Sequence, residues 1–301
     1  MPRELRLLWC YNQRTFGNVL FLAASQSLLE LLADPKFLGA SPGILMALHT
    51  WTQRPAVHPH IHALVTGGGL SVDGRWLLTR KRWLLPGRVL MHKFRGRLRA
   101  LLLRSLERGE LQLPRNTTHA QLRGVLNKLG RQTLNVRILE QYAHGEGVAT
   151  YLARYLRGGP LSNRRLISCH NGKVTFRYRD RRQAGLTERG VACKTSWDAD
   201  KFLRHYLQHV PPKRFPMVRR YGIYANSKSD RLNAARRLLG QKPWVCPERI
   251  SAQQLLEAID PDRAADACCP ICGSVLICDR IPYTGRAPPK NNVMLPATRT
   301  A

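Results

Sequence analysis

The sequence predicts an α+β fold in which helices cover an antiparallel or mixed β-sheet. Apolar residues recur at helical spacing from Asn12 to Leu32, whereas Ile44–Trp51 and Pro59–Val65 are short and rich in β-compatible residues. Asn171-Gly172 separates two further β-like runs and has the composition of a tight hairpin turn. With 301 residues, of which 44% are hydrophobic, the chain is long enough to bury a core.

Proline and glycine mark where the other elements begin and end. Pro35 ends the first helix, the three glycines at 67–69 predict a turn, and Pro86 opens a basic helix that reaches about Glu107. We expect this helix and the one after it to be solvated and cationic on both faces. The remaining predicted elements are helix Ala120–Leu129, strand Leu134–Leu139, helix Gly147–Arg157, hairpin strands Arg164–Cys169 and Lys173–Arg179, helix Asp198–Val210, strand Val218–Tyr224 and helix Lys228–Leu239.

Composition divides the chain into three predicted parts. These are a main domain over residues 1–240, a small segment over 241–282 and a Pro-rich, polar tail over 283–301 that we expect to be disordered. The eight cysteines are too scattered for a disulfide scaffold. Cys269 and Cys272 are the exception, because their spacing suits a zinc knuckle. A complete site needs a second pair, so ordinary thiols are the alternative.

The charge of the chain indicates its class of partner. The sequence has 49 Lys and Arg against 19 Asp and Glu, which gives a net charge of +30. A charge of this size, spread from Arg3 to Arg299, repels itself unless a polyanion binds, so we predict a nucleic-acid partner. We find no apolar run long enough to span a bilayer and no signal peptide, and therefore expect no membrane partner and a cytoplasmic location.

Three histidines within five residues form a candidate metal site. In a strand, the period of two places His58, His60 and His62 on one face and Ile61 on the other. Neutral imidazoles on one face can hold a divalent ion that polarises a phosphodiester oxygen. The alternative is a surface strand that happens to be rich in histidine.

Two tyrosines one helical turn apart form a candidate nucleophile pair. Tyr151 and Tyr155 share a helix face, with Arg154 and Arg157 nearby to favour a phenolate or to contact DNA. Tyrosines at this spacing more often fill a helix seam, so this pattern alone is a weak indication.

Taken together, these patterns resemble a known family. His60-Ile61-His62 is followed by Gly67-Gly68-Gly69-Leu70, then by Tyr151-Leu152-Ala153-Arg154-Tyr155 and Ser162-Asn163-Arg164-Arg165-Leu166. This order resembles the two-tyrosine rolling-circle transposases of bacterial insertion sequences, of the insertion sequence ninety-one type. They belong to the superfamily of His-hydrophobic-His (HUH) endonucleases. The resemblance covers roughly Pro2 to Gly240, so the main domain is expected to be the catalytic domain.

The resemblance implies a DNA transposase that cleaves and joins single strands through a 5′-phosphotyrosine intermediate. Tyr151 and Tyr155 match the nucleophiles, and His60 and His62 match the ligands of Mg²⁺ or Mn²⁺. Arg164 and Arg165 join Arg154 and Arg157 as expected DNA contacts. The implied partner is the single-stranded DNA end of an insertion sequence in the bacterial cytoplasm, with no nucleotide cofactor.

Three matters stay open at this stage. His58 is the favoured third ligand, with Gln53, Glu140 and Glu146 as chemical alternatives. Compared with the family pattern, the first strand and an N-terminal zinc module are expected to be missing, so the chain is predicted to be a truncated remnant. The alternatives for function are a non-catalytic, basic nucleic-acid-binding protein and a metal-dependent nuclease that uses water as its nucleophile.

Overall fold

A computed structural model describes residues 5–79, 84–138, 142, 145–156, 159–180 and 191–245, together with 254, 258, 276–277 and 295–296. The chain divides into two compact units, Met1–Trp244 and Val245–Ala301. In the second unit the described residues include one antiparallel pair, β8 (Leu276–Ile277) with β9 (Leu295–Pro296). The remaining residues of the predicted tail, and the cysteines Cys269 and Cys272, lie outside the described residues.

The first unit alternates between helices and antiparallel strands, which confirms the predicted α+β class. In chain order its elements are α1 (Leu5–Tyr11), α2 (Gln13–Ala33), β1 (Ser41–Trp51), β2 (Val57–Leu70), β3 (Trp76–Leu78), α3 (Gly87–Glu107), α4 (His119–Leu129), α5 (Gly145–Leu156), β4 (Leu166–His170), β5 (Lys173–Asp180), β6 (Val191–Asp198), α6 (Ala199–Leu207), β7 (Val218–Gly222) and α7 (Ser229–Leu238).

The first sheet has the strand order β3-β2-β1-β7, and every neighbouring pair is antiparallel. The expected turn at 67–69 is wrong, because these glycines lie inside β2 and pair with β1 and β3. A Cβ on Gly69 would lie 2.8 Å from the backbone of Ser41, so the glycine permits a close approach of strands. The turn is at Ser71–Arg75 instead, where Asp73 precedes Gly74 with a φ of +78°.

Helix α2 packs on one face of this sheet and forms the centre of the core. Phe16, Phe21 and Leu32 of α2 are fully buried, and they pack in one cluster with Ile44 and Met46 of β1. Because α2 is long and apolar enough to cross a membrane by length and composition alone, the expectation that no such run exists was wrong. More than half of that apolar window is buried inside the protein, as in the core helix of a globular fold.

Helices α3 and α4 complete the core, which corrects the expectation that both of their faces are solvated. Leu98, Leu102 and Leu106 recur at a spacing of four residues along α3 and are buried. Leu122 and Leu126 do the same on α4. The arginines of these helices lie on the faces turned away from the core. Their number made the apolar stripe of each helix hard to recognise in the sequence. The predicted strand at 134–139 is also wrong, since 134–138 form no strand, and residue 139 lies outside the described residues.

The second sheet is a meander of β4, β5 and β6. The predicted hairpin turn is confirmed, with positive φ angles of 50° at Asn171 and 68° at Gly172. One face of the sheet carries Val174 and Phe176 of β5, which pack against α6 through residues such as Phe202. The second sheet is therefore a small two-layer structure with its own apolar cluster.

Candidate metal centre

The candidate centre lies on the face of the first sheet opposite α2. His49 of β1 pairs directly with His60 of β2, and Ala47 pairs with His62, so all three imidazoles share one face. Ile61 packs against the main core on the opposite face, as the period of two predicts. His49 is a ligand candidate that sequence reasoning missed, because cross-strand register is not visible in a linear sequence.

The nitrogen atoms of these histidines are close enough to bind one ion. One ring nitrogen from each of His49, His60 and His62 lies within 4.8 Å of the others. The Nε2 atoms of His60 and His62 are 3.1 Å apart. Two ligands at right angles around an ion, each about 2.1 Å from it, are separated by about 3.0 Å, so this spacing suits a shared metal.

The expected third ligand, His58, lies outside this group of three, so its role as a ligand stays a prediction. His58 is two same-face steps of about 6.6 Å each from His62 along the strand, whereas a cross-strand neighbour such as His49 is much closer. His58 contributes through its backbone, because its carbonyl oxygen accepts a hydrogen bond of 2.6 Å from Nδ1 of His60. With the proton on Nδ1, Nε2 of His60 presents a lone pair toward His62.

Burial lowers the pKa of His60 and His62 and so keeps these two rings neutral. Burial, with smaller contributions from the neighbouring His49 and His60, lowers the pKa of His62 to about 3. Burial also lowers the pKa of His60, although the hydrogen bond to the His58 carbonyl opposes that effect. A neutral imidazole is the form that binds a metal, so the surroundings favour the ligand state. The donor set therefore fits a divalent ion.

Aromatic packing fixes the position of His49. His49 is 7% exposed, and its ring stacks on Trp51 with centroids 4.5 Å apart and an interplanar angle of 17°. The ring of Trp51 lies 6.3 Å from that of His209, and Nδ1 of His209 lies 3.0 Å from Oγ1 of Thr50. The segment after α6 thus supports the end of β1 that carries His49.

The second sheet holds the loop between β1 and β2. The guanidinium of Arg165 donates hydrogen bonds to the carbonyl oxygens of Gln53 and, at 2.8 Å, Arg177. Arg54 hydrogen-bonds to the Tyr178 hydroxyl, and its guanidinium carbon lies 4.2 Å from the centroid of that ring. Arg165 therefore ties two elements together near the histidines in this structure, and its expected contact with DNA stays a prediction.

The tyrosine motif lies on α5, as predicted. The helix places positions 151 and 155 one turn apart, and the Tyr151 ring is 5.9 Å from that of Tyr142. Among the described residues, α5 shares no extensive contact with another helix or strand. The side chains of Tyr155 and Arg154, and the whole of Arg157, lie outside the described residues, while Arg164 is exposed just before β4.

Sequence comparisons identify relatives of this chain. Residues 43–231 match the Y2_Tnp family, described as "Putative transposase". The chain is 33% identical over 246 residues to "Putative transposase y4qJ" of Sinorhizobium fredii, which covers 80% of this chain and 61% of that protein. It is 30% identical over 231 residues to "Transposase for insertion sequence element IS801" of Pseudomonas savastanoi pv. phaseolicola, which covers 75% and 53%. The chain thus spans little more than half the length of these relatives. No solved structure matches it.

Proposed function

Because this chain belongs to the Y2_Tnp family of transposases, we propose that it cleaves and joins single DNA strands to move an insertion sequence. The observation that carries the proposal is the cluster of His49, His60 and His62, whose donor nitrogens lie within 4.8 Å of one another. This cluster falls inside the matched range of residues 43–231. Neutral, partly buried imidazoles on a sheet face are suited to hold Mg²⁺ or Mn²⁺ beside a phosphodiester.

The chemistry we propose is transesterification by tyrosine. The phenolic oxygen of Tyr151 or Tyr155 attacks the phosphorus, the bond from phosphorus to the 3′-oxygen breaks, and the departing strand takes up a proton as a free 3′-hydroxyl. The products are a 5′-phosphotyrosine and a strand end that can reverse the reaction on the same or another phosphotyrosine. A bound Mg²⁺ or Mn²⁺ would polarise the phosphodiester oxygen and make the phosphorus more electrophilic.

Each protein group has a defined part in this scheme. His49, His60 and His62 would hold the ion, and the His58 carbonyl orients the His60 ring so that Nε2 faces the site. Two tyrosines would allow one to hold donor DNA while the other attacks the next strand, as in rolling-circle transposition. No nucleotide cofactor is required, because the phosphotyrosine bond conserves the energy of the phosphodiester.

A covalent-adduct assay tests this function. The protein is incubated with single-stranded insertion-sequence ends and Mg²⁺ or Mn²⁺, and a denaturing gel then separates protein–DNA adducts. We expect an adduct that Tyr151→Phe or Tyr155→Phe reduces and that His60→Ala or EDTA abolishes. Tyr142→Phe is the matched control, because Tyr142 contacts Tyr151 but lies outside the motif.

The other outcomes identify the alternatives. Cleavage without an adduct that persists in both tyrosine variants would indicate a metal-dependent nuclease that activates water. Binding without cleavage by the wild type would leave a non-catalytic DNA-binding protein. Either result contradicts the proposal.

A further inference from the structure

Helix α6 and its apolar cluster cover only one face of the second sheet. Alternate residues of β5, including Val174 and Phe176, are buried on the α6 side, so Lys173, Arg177 and Arg179 point to the opposite, outer face. The register confirms the assignment on the neighbouring strand. Thr175 pairs with Ser196, and their hydroxyl oxygens are hydrogen-bonded at 3.1 Å across the outer face.

Like charges face each other across this outer face. Arg177 of β5 pairs directly with Lys194 of β6, and both side chains are exposed. Directly opposed like charges destabilise a sheet. Asp198, opposite Lys173, is the acidic residue that the described strands place on this face, and it lies at one end. A bound polyanion would stabilise this face, because its negative charges offset the repulsion between Arg177 and Lys194.

The chemistry of the outer face suits a phosphate backbone better than unstacked bases. Apart from the Asp198 carboxylate and the His170 imidazole at one end, its polar groups are ammonium, guanidinium and hydroxyl donors, while Phe176, Tyr178 and Trp197 belong to the α6 side of the described strands. With one imidazole at its end and no Phe, Tyr or Trp among its described residues, the outer face offers little stacking surface for the bases of a single strand. Cations and hydroxyls are the groups that contact DNA phosphates without reading sequence.

The dimensions and position also fit duplex DNA. From Lys173 to Arg179 the strand advances about 20 Å, which equals about six base pairs of duplex at 3.4 Å each. Tyr178 contacts Arg54 of the β1–β2 loop from the other side of β5. The outer face is therefore separated from the loop beside the histidines by the thickness of one sheet.

We propose that this outer face binds the backbone of duplex DNA, independent of its sequence, as a surface distinct from the histidine centre. The inference rests on the proposed function, because duplex DNA flanks the strand that such an enzyme cuts. The partner is defined by its phosphates, and the residues that bind them are Lys173, Arg177, Arg179 and Lys194.

Salt-dependent binding measures the inferred contacts. We compare the full chain with the variant Lys173→Ala/Arg177→Ala/Lys194→Ala, using a random-sequence duplex and a single strand of equal length, in EDTA. Each lost phosphate contact lowers the slope of log K against log salt by about 0.9 on duplex DNA, so the triple variant should lose about 2.7. We expect its duplex affinity at about 0.1 M salt to fall more than tenfold.

Two further variants separate a specific surface from net charge and from misfolding. Lys36→Ala/Arg115→Ala/Lys128→Ala removes the same charge from exposed positions outside the second sheet and should keep the wild-type slope. Lys194→Glu replaces the like-charge pair with an opposite-charge pair opposite Arg177. It should raise the melting temperature while weakening duplex binding, which a misfolded variant cannot do.

The outcomes are distinguishable from those of the adduct assay. Equal slope losses in both triple variants, an unchanged slope in the sheet variant, or a loss confined to the single strand would each overturn the inference. None of these results bears on tyrosine adduct formation. Conversely, the lack of an adduct with intact, sheet-dependent duplex binding would remove the proposed chemistry and leave this surface in place.

Discussion

At the scale of single residues, the site depends on which histidines are neighbours in space. Sequence periodicity correctly placed His60 and His62 on the face opposite Ile61, because that relation follows from the backbone of one strand. It could not find His49, which reaches the same face through strand pairing 11 residues away in the sequence. The same limit explains the choice of His58, which shares a face with the pair but is displaced along the strand.

This difference between His49 and His58 gives a prediction about metal binding. His49→Ala removes a ring nitrogen from the cluster, and we expect Mn²⁺ affinity to fall by more than about tenfold. His58→Ala keeps the carbonyl that orients His60, so its effect should be clearly smaller. Titration calorimetry with Mn²⁺ on both variants measures the difference.

The ranking of the two variants decides the assignment of the third ligand. If His58→Ala loses most of its Mn²⁺ affinity while His49→Ala binds like the wild type, then His49 is not a ligand. Thermal unfolding in EDTA serves as the control, since a general loss of structure would lower the melting temperature without metal.

At the scale of elements, glycines determine how closely the strands of the first sheet approach. Gly222, at the end of β7, has a φ of +62°, and a Cβ there would lie 1.8 Å from the carbonyl oxygen of Pro42. The same oxygen accepts a hydrogen bond from the Ile223 amide at 3.0 Å. A side chain at position 222 therefore cannot be added without separating β7 from β1.

We predict that Gly222→Ala costs at least about 3 kcal/mol of unfolding free energy, from positive φ and overpacking together. Gly74→Ala is the matched control, since Gly74 has a φ of +78° but no atom within 4 Å of an added Cβ. It should cost only about 1 kcal/mol. Urea denaturation measures both unfolding free energies. Equal losses in the two variants would contradict the prediction, because they would show that positive φ alone causes the destabilisation.

Long, strongly patterned elements were predictable, and short or charged ones were not. Helix α2 and the hairpin at Asn171-Gly172 have local signals, in apolar period and turn chemistry. Strand β3 has only three residues, so no period of two can develop, and its pairing depends on Gly68 and Gly69 in β2. Strand β6 alternates polar and charged residues such as Lys194 on its outer face, a pattern that favours no single element.

At the scale of the whole molecule, net charge opposes folding. The chain carries +30, and the described ion pairs, such as Lys93 with Glu30, lie at the surface where they stabilise little. Repulsion among the remaining cations is screened over about 10 Å at 0.1 M salt. Stability should therefore depend on the ionic medium more than on any one pair.

We predict that raising NaCl from about 0.05 to 0.5 M increases the melting temperature by at least about 3 °C, because screening reduces self-repulsion. Differential scanning fluorimetry measures the shift, with an osmotically matched sucrose series as the uncharged control. A melting temperature that falls with salt, or rises equally in sucrose, would contradict the role of charge.

The irregular pairing of β1 with β2 near the glycines at 67–69 determines where the length of the chain can change. Opposite the segment from Pro42 to Ile44 of β1, strand β2 contains two extra residues. The Gly43 amide donates a hydrogen bond of 2.9 Å to the hydroxyl oxygen of Thr66. A length change there can be taken up within that irregularity. A single residue added between His60 and His62, where every residue pairs regularly with β1, would instead turn one of the two imidazoles toward α2. Insertions and deletions should thus be tolerated between Val65 and Gly69 and eliminated between His60 and His62.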